Sequence, residues 1–132
     1  MGKSRINYNI NLTLTYGDNI MKVENMTSNN GNKIANQFIV TDDFDNVYFQ
    51  SYDSIIAKKQ FIEKHDVVYH DDENHPSKVT HIEKKVFLDK NFWDYSVTTG
   101  KYRNIFLNET KKETQKKIDN GTYILTDLNY EV

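Results

Sequence analysis

The chain has 132 residues, enough for one domain with a modest core, and its 37% hydrophobic and 13% aromatic content is too rich in large apolar groups for a disordered segment. A formal net charge of −2 removes any overall pull towards nucleic acid. The absence of Cys removes disulfides, thiolate metal sites and thiol catalysis, and suits a reducing cytoplasm.

The charge is unevenly spread. Residues 61–100 hold five Lys against eight acids, whereas 101–117 hold six Lys or Arg against Glu109 and Glu113. The N-terminus lacks the apolar run of a signal peptide, and no segment approaches the ~18 apolar residues of a membrane span. The expected location is therefore the cytoplasm. Lys outnumbers Arg fifteen to two, and there are sixteen Asn and twelve Ile, a bias towards A- and T-rich codons. It points to a low-GC bacterium or one of its phages.

From Ile6 to Tyr16, Ile6, Tyr8, Ile10, Leu12, Leu14 and Tyr16 alternate with Asn and Thr, the period-two pattern of a half-buried strand. Gly17-Asp18-Asn19 supplies a turn, and Ile20 to Met26 returns as its hairpin partner. A polar loop over 27–33 follows. Gln37 to Thr41 and Val47 to Ser51 read as strands around the turn Asp42–Asn46, with Ser54 to Lys59 as a further strand or short helix. Glu63 to Lys78, with acids, three His and the only Pro, reads as a long exposed loop, and Lys84 to Asp89 as a strand.

Near the end, Thr99 to Leu107 suits a short helix. Thr110-Lys111-Lys112-Glu113 is a capping box opening a helix over 111–119, which Asn120-Gly121 closes. Thr122 to Thr126 is a last strand. The expected fold is α+β: an antiparallel sheet built from hairpins, with one or two short C-terminal helices packed on it. One domain spans 1–132, with an N-terminal hairpin over 1–26 and a core over 34–126 that carries a loop insertion at about 60–81.

The sequence offers no catalytic set and no cofactor motif. His65, His70, His75 and His81 are spaced by five, five and six residues, which matches no standard zinc pattern, so no metal site is expected. Asp42, Asp43 and Asp45 are explained by turn chemistry. Two binding surfaces stand out. Asp66, Asp71, Asp72 and Glu73 form an acidic patch, with Tyr52, Trp93 and Tyr95 as candidate aromatic anchors for a protein partner. Alternatively, Lys101, Arg103, Lys112 and Lys116 could touch the phosphates of a nucleic acid.

Residues 36–59 and 86–126, through NQFIV, YFQSY, SIIAK, FLDKNFWDYSVTTGKYRNIFL and YILT, resemble a small domain of unknown function encoded by phages of low-GC bacteria. Gly2-Lys3-Ser4-Arg5 followed by Asn7 is similar to the start of a phage anti-CRISPR protein that inhibits type II RNA-guided nucleases. Together these resemblances imply a phage accessory protein that binds and inhibits a host defence component, a Cas nuclease first of all, by steric and electrostatic blockade rather than catalysis. The alternative is a nucleic-acid-binding accessory protein that uses the 101–117 stretch.

Overall fold

A computed structural model of the chain describes residues 12–16, 19–69 and 76–129. Among the described residues nine elements follow one another: β1 (Leu12–Tyr16), β2 (Asn19–Thr27), β3 (Lys33–Thr41), β4 (Val47–Ser51), β5 (Ser54–Val68), β6 (Ser77–Asp89), α1 (Val97–Leu107), α2 (Lys111–Asp119) and β7 (Tyr123–Thr126). The seven strands form one sheet in sequence order. Every neighbouring pair is antiparallel except β6 and β7, which are parallel. Parallel neighbours need a crossover rather than a tight turn, and α1 and α2 form it. The fold is α+β, as the residue pattern implies. The Ile6–Asn11 part of the first expected strand lies outside the described residues.

The sheet's two faces differ. Phe49, Ala57, Val86, Leu88 and Tyr123 point to the helices and pack with Phe106 of α1, while Tyr102, Leu107 and Ile118 close the edges of this core. On the opposite face Val23, Phe38 and Val40 form a second cluster bordered by Met21 and Tyr48. One cross-strand row on this second face runs from β2 to β7: Val23, Val40, Tyr48, Lys58, Phe87 and Ile124. Val23 and Val40 are fully covered, Tyr48, Lys58 and Phe87 are half-buried, and Ile124 is exposed.

The helix ends follow from local chemistry. Ser96 caps α1 by accepting from the Thr99 N–H, and Asn108 ends it in the left-handed conformation at φ 56°, which Asn tolerates better than most residues. Thr110 and Glu113 form the expected capping box on α2. Only Thr114 of α2 is buried, so α2 is a covering helix, as its sparse apolar content implies.

Within the stretch Glu63–Lys78, the described residues 63–68 and 77–78 depart from expectation: they are strand, not loop. β5 continues to Val68, β6 resumes at Ser77, and the two pair without interruption from Ala57↔Leu88 to Val68↔Ser77. Pairing of β5 with β4 ends at Val47↔Lys59, and pairing of β6 with β7 begins at Val86↔Tyr123. Residues 60–68 and 77–85 therefore form a two-stranded arm, about 30 Å long at the usual rise per residue. Water on both of its faces erases the apolar–polar alternation by which a strand is recognised. Val67, Val68, Val79, Thr80 and Ile82 still supply β-branched side chains that favour extended backbone.

Candidate functional site

The arm carries the most exposed recognition chemistry. Val67, Val68, Tyr69, Val79 and Ile82 are all exposed along it. Alternation divides the side chains between two faces. Lys64, Asp66, Val79, His81 and Glu83 share one, and Glu63, His65, Val67, Lys78, Thr80 and Ile82 share the other. Lys64 faces Glu83 at 3.7 Å, and His81 faces Asp66 at 3.4 Å. His65 bonds Thr80 at 3.1 Å on the opposite face, so His65 and His81 do not converge on one point. Among the described residues no group of three or more His, Cys, Asp or Glu is arranged to hold a metal ion. Asp66 is an exposed arm residue; Asp71, Asp72 and Glu73 lie outside the described residues.

A second surface lies at the opposite end of the sheet, where the β4–β5 turn meets the first turn of α1. The contact is a buried hydroxyl pair, Ser51 Oγ and Thr99 Oγ1, 3.0 Å apart. Tyr52, the next residue after Ser51, is 47% exposed and has φ 55°. Its turn has two residues between the paired Ser51 and Ser54, and only the first has positive φ, a position that favours Gly. Two hydrogen bonds hold Tyr52 there. Its N–H donates to the Asn36 carbonyl at 2.7 Å, and its carbonyl accepts from the buried Gln50 amide at 2.9 Å. Tyr95 and Val97, just before and after the Ser96 cap, are also exposed. Tyr52 and Tyr95 are thus both exposed to solvent.

Trp93 is not a free anchor. It is half-buried against the main core, with the Arg103 guanidinium 5.1 Å from its ring. Arg103 in turn is no phosphate contact. Its side chain is 1% exposed, donates to the Trp93 carbonyl at 2.6 Å and to Asn104 Oδ1 at 2.9 Å, and lies 3.4 Å from Asp94. A guanidinium fits such a buried, multi-acceptor position because its planar fork is rigid and weakly hydrated.

The rest of the 101–117 stretch is also partly committed. Lys111 pairs with Asp94 at 2.7 Å and Lys117 with Glu109 at 2.7 Å. Burial works to raise the Asp94 carboxyl, but hydrogen bonds from Lys111 and Arg103 prevail and hold it below its ordinary value. Lys101, Lys112 and Lys116 remain exposed. Three solvated lysines on two helices make a thinner basic surface than six charges in seventeen residues imply.

A row of Tyr48, Lys58 and Phe87 crosses the sheet face turned away from the helices. The Lys58 ammonium sits 5.4 Å from the Tyr48 ring centre and 5.8 Å from that of Phe87. These residues come from three strands, so only the register brings them together. Alternation in each strand could have placed each on the face away from the core, but not beside the others.

Residues 21–72, which include most of β2 and all of β3, β4 and β5, match a family of unknown function, DUF8033. No curated protein matches the chain. No solved structure matches it.

Proposed function

We propose that this protein works by binding, as a phage-encoded antagonist of a bacterial defence component, with a CRISPR nuclease as its first candidate target. The observation that carries the binding reading is the arm. It projects beyond the strands that flank its root and exposes five apolar side chains. Scattered apolar residues on a surface are ordinary, but on this thin ribbon Val68 and Val79 on one face and Val67 and Ile82 on the other offer apolar contacts on both sides, with little packing value to the free protein. The outer edges of residues 60–68 and 77–85 have no neighbouring strand among the described residues, which suits strand addition to a partner. The nuclease as target rests on the resemblance to phage accessory proteins and on the acids of the 66–73 segment, which would meet a basic nucleic-acid channel.

The nucleic-acid alternative based on 101–117 is weakened by the burial of Arg103 and the pairing of Lys111 and Lys117.

Inhibition of DNA cleavage by purified type II nucleases tests the reading. The parent protein should inhibit, and Val79→Asp with Ile82→Asp should abolish inhibition while leaving the melting temperature near the parent value. Replacement of Asp71, Asp72 and Glu73 by Asn or Gln should slow association. Undiminished inhibition by the Val79/Ile82 variant would remove the arm as the contact, and failure of the parent to inhibit would remove the nuclease as target.

A further inference from the structure

We propose that the sheet face turned away from the helices binds single-stranded nucleic acid, with Tyr48 and Phe87 stacking bases and Lys58 between them taking the linking phosphate. The three are direct cross-strand neighbours: Tyr48 of β4 opposes Lys58 of β5, which opposes Phe87 of β6. The two rings are therefore two strand spacings apart, about 10 Å. That separation suits two splayed bases of an extended strand rather than two bases stacked on each other. Both rings are half-buried, held by the sheet yet partly open to solvent. Exposed Ile124 extends the platform by one strand, and Lys85 lies on the same face beside Phe87.

Charge selects the occupant. Lys58 and Lys85 form no ion pair among the described residues. The Lys58 ammonium instead rests near two π faces, where a phosphate offers a stronger partner. Aromatic faces interleaved with cations match the alternation of base and phosphate in a single strand. A duplex hides its base faces and gains only the cations. This site lies on the other side of the sheet from the helices that carry the 101–117 lysines, and it is separate from the arm's apolar contact.

Fluorescence anisotropy with labelled oligo-dT and oligo-U, and with a duplex of the same length, tests the assignment. The parent should bind the single strands more tightly than the duplex. Phe87→Leu and Lys58→Gln should each weaken binding about fivefold or more, in line with the loss of one stacked base or one phosphate contact. Phe87→Tyr keeps a ring and should retain binding, which separates stacking from a folding defect. Lys112→Gln with Lys116→Gln should change affinity less than about twofold, because neither would touch the strand. No binding by the parent, equal or better binding of the duplex, unchanged binding by Phe87→Leu, or loss confined to the Lys112/Lys116 variant would each overturn the proposal.

Discussion

Asp89 Oδ1 accepts from the Asn129 side-chain amide at 3.0 Å, and the pair seals the end of the sheet where β6 leaves it. Asn129 also gives and takes a hydrogen bond at the Ile55 backbone, at 2.7 and 2.8 Å. It thereby supplies to β5 the two bonds that a neighbouring strand would otherwise make. Asp89, fully buried, accepts further from the backbone N–H groups of Asn91, Phe92 and Leu128. Asn129→Ala should therefore cost about 1–3 kcal/mol, and Asp89→Ala about 3 kcal/mol or more because several donors lose one acceptor together. Urea denaturation measures both. A cost for Asn129→Ala below about 0.5 kcal/mol would show that the tail does not stabilise the sheet end.

Tyr52 sits at positive φ, where a Cβ is disfavoured, so its backbone and its ring can be tested apart. Both Tyr52→Ala and Tyr52→Gly remove the ring, but only Gly removes the steric cost of φ 55°. The Gly variant should be more stable than the Ala variant by about 1 kcal/mol. If Tyr52 anchors a partner, both should lose affinity alike. Equal melting of the two variants would mean that the turn stores no strain.

The reach of sequence reasoning follows the range of the interactions. The Thr110–Glu113 capping box joins residues three positions apart and is legible, as are the turn at Asp42–Asn46 and the strands at Val47–Ser51 and Tyr123–Thr126. Asp42 confirms the turn chemistry by accepting from the Phe44 and Asn46 N–H groups. The outer arm was not legible, because a ribbon wetted on both faces has no apolar period. The Asn129 clamp joins residues 74 and 40 positions apart, and nothing local marks it. Arg103 misled for a different reason. Among fifteen Lys and one other Arg it reads as one more surface cation, yet the helix turns it inward onto Trp93.

That inward arginine gives a sharp contrast with its basic neighbours. Arg103→Lys keeps the charge but loses the fork that reaches the Trp93 carbonyl and Asn104, and it should cost about 3 kcal/mol. Lys101→Gln, Lys112→Gln and Lys116→Gln, at exposed positions, should each stay within about 0.5 kcal/mol of the parent. Chemical denaturation of the four single variants decides the matter. A neutral Arg103→Lys would contradict the structural role.

Glu109 couples the two helices to β7 and should govern the acid side of stability. Its side chain is 3% exposed and accepts from Lys117 at 2.7 Å, Thr114 at 2.5 Å and Tyr123 at 2.8 Å. Burial alone would raise its pKa, but these hydrogen bonds and the Lys117 charge prevail and hold it below the ordinary carboxylate value. The folded state thus binds the Glu109 proton less readily than the unfolded chain. The resulting stability is fully present above the unfolded value of about 4.3 and is lost as pH falls through the lower folded value. Tyr123 acts at the other end. Burial first, and then the hydrogen bond to Glu109, push its hydroxyl up to about 12. Its contribution is present below the unfolded value of about 10 and is lost as pH rises towards the folded one. Glu109→Gln should cost about 2 kcal/mol at pH 7, through the lost charged hydrogen bonds and the unpaired Lys117. It should also flatten the fall in stability between about pH 5 and pH 2. Unfolding free energies of parent and variant across that range test this, and parallel curves would show that Glu109 does not set the acid limit.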